Sequence, residues 1–248
     1  MSTLSQLLSE KHIRALILDL DGVVTQTARV HAQAWKRMFD AYLLQRGEKE
    51  GKRYDPLDIE TDYREYIDGI PRYDGVRNFL QSRGISLPEG TPEDEEGDET
   101  VGGLGNLKNM YFQELLKQDG VDVYEDTIAW LKRQKQNGMR IAVISASKNC
   151  VDVLHAAGIE RLFEEHVDGL QSASLGLKGK PAPDIFLEAT QRLGIAPKEA
   201  AIFEDARKGV QAGKAGGFGL VVGIDRHHDA EGLKSNGADV VINEFPKV

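Results

Sequence analysis

Cysteine is almost absent from this sequence. Cys150 is the only one among 248 residues, so no intrachain disulfide can form and a reducing compartment is expected. No stretch of the chain approaches the ~20 consecutive apolar residues that a membrane span needs. The first residues, MSTLSQLLSEKHIR, lack a basic start followed by an apolar run, so we expect no secretion signal. These absences predict a cytoplasmic protein.

Basic residues are also in the minority. The chain has 31 Lys and Arg against 40 Asp and Glu, a net charge of −9, and no basic block. Neither nucleic acid nor an anionic membrane is therefore an expected partner. A small phosphorylated substrate stays compatible with this charge, because a few focused cations can outweigh it locally. The length and the 40% of hydrophobic residues suit one large α/β domain, or a core domain with a smaller companion.

Short apolar runs recur along the chain. The first, RALILDL at Arg14–Leu20, ends in acidic residues and a glycine, as a buried parallel strand that meets a loop would. Four similar runs follow at Arg140–Ser145, Ala200–Phe203, Leu220–Ile224 and Asp239–Ile242. Helical patterns at Thr127–Asn137 and Asp184–Leu193 lie between them. This alternation predicts an α/β fold with a doubly wound parallel sheet, whose strands share one carboxyl edge.

One long segment, from Ala28 to Lys117, breaks this alternation. It contains no β-rich run, and Val30–Tyr42, Val76–Ser82 and Asn109–Lys117 have helical patterns. We predict a helical cap domain, residues 28–117, over the active edge of a core domain formed by residues 1–27 and 118–248. The acidic stretch Glu89–Glu99 predicts a solvated, flexible loop within the cap.

Two carboxylates follow the first predicted strand. Asp19 and Asp21 in DLDGVVT are two residues apart, so on an extended chain their side chains point the same way. Their mutual repulsion favours a shared proton or a bound cation. A calcium-binding EF-hand is excluded, because glycine stands at loop position four and Val30 at position twelve. A plain acidic turn stays open for this motif alone.

Three further polar sites follow along the chain. Ser145 ends the second predicted strand, Lys180 lies in GKPAPD, where the two prolines that follow it make the chain rigid, and Glu204 and Asp205 follow the strand AAIF. Taken singly, these residues have ordinary explanations as helix caps or surface side chains. As an ordered set they converge on one sheet edge. Carboxylate ligands there suit Mg²⁺, and the hydroxyl and the lysine suit a phosphoryl group.

The motifs DLDGVVT, VISASKN, GKPAPD and FED resemble the four motifs of the haloacid-dehalogenase superfamily. Within it, TARVHAQAWK and SASKN are most similar to the β-phosphoglucomutase family. The resemblance extends over almost the entire chain. It implies a Rossmann-like core with an inserted cap of four or five helices, and a chemistry of Mg²⁺-dependent phosphoryl transfer.

The resemblance also implies residue roles. In the core they are Asp19 as nucleophile, Asp21 as general acid and base, Ser145 and Lys180 as phosphoryl-binding groups, and Asp19, Glu204, Asp205 and the carbonyl of Asp21 as Mg²⁺ ligands. For substrate binding they are Thr27 and His31 at the hinge and cap side, Arg72 as a cap arginine for a second phosphate, Lys108 near the substrate, and the core loop Ala146, Ser147, Lys148 and Asn149.

Some features depart from that family. Asp68 stands where the family often has lysine, and the linker Gln45–Tyr63 is longer than usual. The stretch PRYDGVRNFLQSRGISLPEGTP resembles a branch labelled simply as hydrolases. The sequence therefore predicts a sugar phosphomutase, with a sugar-phosphate phosphatase as the alternative. A non-catalytic sugar-phosphate-binding protein and a dehalogenase are less favoured. We expect a monomer that acts on a small phosphorylated sugar.

Overall fold

The computed structural model describes residues 4–226 and 228–247. The chain forms two compact units. One unit comprises the chain up to Gln26 and again from Val121 onward, and the other is Thr27–Gly120. Among the described residues, no helix is both long and apolar enough to cross a membrane.

A parallel sheet lies at the centre of the first unit. Its six described strands are β1 Ala15–Asp19, β2 Arg140–Ile144, β3 Glu165–Val167, β4 Ala200–Glu204, β5 Leu220–Ile224 and β6 Val240–Ile242. Their order is β3-β2-β1-β4-β5-β6, and each neighbouring pair is parallel. The predicted doubly wound sheet is confirmed. The strand β3 was missed, because two of its three residues are polar and it offers no apolar run.

The described helices are α1 Leu4–Glu10, α2 Thr27–Glu50, α3 Asp62–Tyr66, α4 Arg72–Ser82, α5 Val101–Asp119, α6 Glu125–Gln136, α7 Cys150–Ala156, α8 Gly169–Leu175, α9 Asp184–Leu193, α10 Arg207–Ala215 and α11 Ala230–Ser235. Short 3-10 turns occur at Glu160–Leu162 and Pro197–Glu199. Helices α2 to α5 belong to the inserted unit, and the others belong to the sheet-containing unit.

The sheet is buried because helices cover both of its faces. Successive residues of a strand face opposite sides. Accordingly, Ile202 of β4 joins an apolar cluster with Phe186 of α9. The next residue, Phe203, packs against Trp130 of α6 with ring centroids 5.4 Å apart. All five residues of β1 and of β4 are buried, so these two central strands give the residues at their carboxyl ends a rigid base.

The inserted unit is helical, as predicted, and has its own apolar core. Helix α2 extends to Glu50, so the stretch that the sequence suggested as a long linker begins inside a helix. Phe39 of α2 contacts Phe79 of α4 with ring centroids 4.2 Å apart. The acidic stretch 89–99 contains no helix or strand, and Asp94 within it accepts hydrogen bonds from Thr91 and Thr100 at 2.8 and 2.5 Å.

Candidate active site

The strand order brings the chemically important residues of the first unit together. Strand β1 lies between β2 and β4. Asp19 is the last residue of β1, Glu204 is the last residue of β4, and Ser145 follows β2 directly. The carboxyl ends of adjacent parallel strands meet at one edge, so these three side chains share that edge. All three are buried, with Ser145 and Glu204 fully inaccessible.

Lys180 reaches this edge from the loop that precedes α9. Its ammonium donates to Oδ1 of Asp19 at 2.6 Å and also to Oε1 of Glu204. Burial alone would lower the pKa of Lys180, but the charges of Asp19 and Glu204 outweigh it and raise this pKa above its ordinary value. Lys180 is therefore a fixed cation that links the ends of β1 and β4.

Three carboxylates cluster around this lysine. One oxygen each from Asp19, Glu204 and Asp205 lies within 4.8 Å of the other two. Burial raises the pKa of Asp19 well above its usual range, although Lys180 lowers it, and the neighbouring carboxylates raise it further. Burial likewise raises the pKa of Glu204. When all three carboxylates are ionised, Lys180 offsets only one of their charges, so this oxygen-only donor set fits a hard divalent cation.

Two glycines allow the backbone to approach these carboxylates closely. Gly22 has φ +90°, and a Cβ there would lie 1.8 Å from Oδ2 of Asp205. A Cβ on Gly209 of α10 would lie 1.9 Å from the Glu204 carboxylate. The backbone N–H of Ala206 donates to Oε2 of Glu204 at 3.0 Å. Sequence reasoning missed Gly209, which follows the FED motif by only a few residues and carries no chemistry of its own.

Ser145 connects the second carboxylate of the first motif to the loop after β2. Its hydroxyl donates to Oδ2 of Asp21 at 3.0 Å and accepts from the N–H of Ser147 at 3.0 Å. The N–H of Asn149 donates to the Ser147 hydroxyl at 3.1 Å. Residues Ala146 to Lys148 are partly accessible, whereas Asn149 is buried. This loop therefore presents polar groups beside Asp21.

A second group of predicted residues meets within the inserted unit. The Lys108 ammonium lies 2.6 Å from Nδ1 of His31, and both side chains are buried. An ammonium donor at this distance requires an unprotonated Nδ1 on the imidazole. The His31 ring stacks on Phe112 at 3.9 Å, and the Lys108 ammonium lies 5.2 Å from the Trp35 ring. Phe112 belongs to none of the motifs, so its part in this cluster was not predicted.

Arg72, the first residue of α4, donates from Nη2 to Oδ1 of Asn109 at 2.8 Å. Burial lowers the pKa of its guanidinium from the ordinary value. Sequence reasoning missed Asn109, although it follows Lys108 directly. Thr27, the remaining predicted residue, is buried at the start of α2.

Comparison with known proteins identifies close relatives. The sequence model of the haloacid dehalogenase-like hydrolases matches residues 13–217. A β-phosphoglucomutase from Mycobacterium tuberculosis is 46% identical over 239 residues, which cover 95% of this chain and 91% of the relative. The β-phosphoglucomutase of Bacillus subtilis is 30% identical over 233 residues, covering 94% and 90%. The crystal structure of a β-phosphoglucomutase from Clostridium difficile matches with a TM-score of 0.71 and 27% identity, covering 94% and 91%.

Proposed function

We propose that this chain, which belongs to the haloacid dehalogenase-like hydrolase family, is a β-phosphoglucomutase-like enzyme. It moves a phosphoryl group on a phosphorylated sugar through an aspartyl-phosphate. The observation that carries the proposal is the buried cluster of Lys180 with Asp19 and Glu204 at the centre of the sheet edge. The 46% identity to a β-phosphoglucomutase over 95% of the chain supports a sugar phosphate as substrate.

In the first step, a carboxylate oxygen of Asp19 attacks phosphorus, and the bond between phosphorus and the sugar oxygen breaks. Lys180 offsets the repulsion between the carboxylate and the phosphate, and the Ser145 hydroxyl holds a phosphoryl oxygen. Asp21 starts protonated and gives its proton to the departing sugar oxygen. The hydrogen bond from Ser145 orients Asp21 before the reaction.

In the second step, a free hydroxyl of a sugar monophosphate attacks the aspartyl-phosphate. The sugar bisphosphate that forms carries the second phosphate and is the phosphoryl donor when the first step is repeated. Asp21 now acts as the base and takes the proton of that hydroxyl, so the acid of the first step is regenerated. The phosphoryl group returns to the sugar, and Asp19 leaves as a carboxylate. A phosphatase would admit water at this point, and inorganic phosphate would be released instead.

The proposed cofactor is Mg²⁺, which the carboxylates of Asp19, Glu204 and Asp205 and the backbone carbonyl of Asp21 would hold. When bound, the ion supplies positive charge that reduces the repulsion between the nucleophile and the phosphate. The carboxylate cluster and its uncompensated negative charge support this proposal.

The remaining residues are proposed to bind the rest of the substrate. Arg72 has a planar guanidinium that suits a second, non-reacting phosphate. In the sheet-containing unit, Ser147, Lys148 and Asn149 with the backbone of Ala146 offer polar donors to the substrate beside Asp21. His31 and Lys108 supply a buried donor pair for the sugar, and Thr27 lies at the chain crossing between the two units. Asn109 would orient Arg72 through the bond from its guanidinium.

Product analysis tests the proposed function. The enzyme is incubated with β-glucose 1-phosphate, Mg²⁺ and a trace of glucose 1,6-bisphosphate, and the products are separated and identified. We expect glucose 6-phosphate as the main product, with little inorganic phosphate. Inorganic phosphate as the main product from every sugar phosphate tried would replace the mutase with a phosphatase.

A further inference from the structure

The loop from Leu20 to Gln26 carries Asp21 and directly follows Asp19, so its position governs both proposed reacting carboxylates. Bonds within the loop fix its shape. The N–H groups of Val24 and Thr25 donate to the carbonyl of Leu20 at 3.0 and 2.9 Å, and the N–H of Gly22 donates to the carbonyl of Thr25 at 2.8 Å. These bonds determine how the loop is folded, but its position depends on what holds it from outside.

Residues at the start of α6 hold the outer side of this loop. The backbone N–H of Tyr124 donates to the carbonyl of Val24 at 3.0 Å. The hydroxyl of Thr127 donates to the carbonyl of Val23 at 2.9 Å, across 104 residues of sequence. Thr127 and both valines are fully buried, so no solvent can replace these hydrogen bonds if they are lost.

Arg226, in the loop after β5, contacts both of the residues that hold the loop. Its Nη2 donates to the Thr127 hydroxyl at 3.2 Å, and its guanidinium lies 3.8 Å from the centre of the Tyr124 ring. Its Nη1 donates to the carbonyl of Asn243 at 3.0 Å, and Asp126 lies 3.5 Å from Nη2. The Arg226 side chain is only 10% exposed, so it is a packed part of this edge and not a surface charge.

The contact with Arg226 helps to hold the Thr127 hydroxyl in place. A threonine in a helix commonly donates to a carbonyl of the preceding turn. The Thr127 hydroxyl instead gives its single proton to the carbonyl of Val23, while its oxygen accepts from the Arg226 guanidinium. Arg226 therefore stabilises the orientation in which Thr127 holds the loop.

We infer that Arg226 and Thr127 are positioning residues for phosphoryl transfer, because they hold the Val23 and Val24 backbone so that Asp19 and Asp21 keep their mutual geometry. The inference rests on the proposed function, since it concerns the same two carboxylates. Neither positioning residue is among the proposed substrate-binding residues. Their loss should lower kcat and leave KM nearly unchanged.

The primary test is Thr127→Val, which removes the hydroxyl and nearly preserves the shape of the side chain. We expect kcat to fall about tenfold, because a misplacement of about 1 Å is enough to slow a positioned reaction strongly. KM should change less than about twofold by the same argument. Thr127→Ser keeps the hydroxyl and should restore most of the wild-type kcat.

Thr190→Val is the matched control. Thr190 is also a buried threonine on a helix of the same unit, and its hydroxyl donates to the carbonyl of Leu187 within α9 at 2.7 Å. This variant loses a comparable hydrogen bond far along the chain from the loop, so its kcat should match the wild type. An equal fall of kcat in both variants, or an unchanged kcat in Thr127→Val, would overturn the inference.

Arg226→Met tests the arginine. Arg192→Met is its control, since Arg192 also donates to a backbone carbonyl, that of His166, at 3.1 Å.

If both positioning residues act through one hydrogen-bonded chain, the double variant Thr127→Val with Arg226→Met should be little slower than the slower single variant. A fully additive loss would contradict a shared action.

Hydrogen–deuterium exchange supplies a readout that does not depend on activity. Peptides covering residues 20–26 should exchange faster in Thr127→Val and Arg226→Met than in the wild type, and at the wild-type rate in Thr190→Val. Unchanged exchange in the first two variants would overturn the inference. Failure of the proposed function would instead be visible in the wild type, as an enzyme that neither isomerises nor hydrolyses sugar phosphates.

Discussion

Lys180 is the side chain on which the proposed site depends most, because it pairs with two buried carboxylates that would otherwise repel each other. The carboxylates come from Asp19 and Glu204, at the ends of two adjacent strands. Removing one member of such a buried group costs roughly 3–5 kcal/mol of folding free energy, since the others keep uncompensated charge. The nucleophile is therefore tested best by a substitution that preserves shape and hydrogen bonding.

Asp19→Asn is that substitution. An amide cannot attack phosphorus, and the change is nearly isosteric, so turnover should be abolished while the far-ultraviolet circular dichroism spectrum stays that of the wild type. Asp239→Asn is a suitable control, because the Asp239 carboxylate also accepts a hydrogen bond from a lysine, Lys214, at 3.3 Å. Retention of more than about a thousandth of the wild-type rate in Asp19→Asn would refute the nucleophile.

Secondary structure elements determine which of these residues could be found from the sequence. Asp19, Ser145 and Glu204 were predictable because each ends or follows a run of apolar residues, and parallel strands bring such ends together. The bond between Arg226 and Thr127 was not predictable, because the two residues are separated by 99 positions and neither belongs to one of the four motifs. The same holds for Asn109, which reaches Arg72 across 37 positions. Such contacts depend on loop conformations that local sequence does not specify.

The close approach of α10 to the end of β4 allows a test of metal binding. Chelation should stop activity and Mg²⁺ should restore it. A Cβ on Gly209 would collide with the Glu204 carboxylate, so Gly209→Ala should displace a proposed ligand and raise the half-saturating Mg²⁺ concentration about tenfold, as loss of a ligand-supporting contact does. The measurement is a Mg²⁺ titration of initial rates.

Gly213→Ala, on the same helix, is the comparison for that titration. A Cβ there would meet only apolar side chains, Ile202 and Val221, at 3.3 Å. We expect a modest loss of stability and an unchanged Mg²⁺ requirement. Full activity of the wild type in excess chelator, or identical titrations for the two variants, would argue against a metal site at this edge.

At the scale of the whole molecule, the choice between mutase and phosphatase depends on recognition of a second phosphate. Arg72→Ala should slow interconversion of β-glucose 1-phosphate and glucose 6-phosphate by roughly 10- to 150-fold, because a charge-assisted bond to phosphate contributes about 1.5–3 kcal/mol. Hydrolysis of a small aryl phosphate, which has no second phosphate, should change little. Initial rates with both substrates measure this difference.

Arg37→Ala is the control in the same unit, since the Arg37 side chain is 50% exposed and pairs with Glu114 on the surface. It should leave both activities unchanged. Equal losses with both substrates in Arg72→Ala would mean that this arginine acts on folding or on the reacting phosphate, and not on a second one.

The central claim is that the phosphoryl group passes from Asp19 back to a sugar hydroxyl and not to water. Turnover of β-glucose 1-phosphate in ¹⁸O-labelled water, followed by ³¹P nuclear magnetic resonance, tests it directly, because ¹⁸O bonded to phosphorus shifts the resonance. We predict glucose 6-phosphate without ¹⁸O in its phosphoryl group and little inorganic phosphate. Inorganic phosphate that carries ¹⁸O as the main product would contradict the claim.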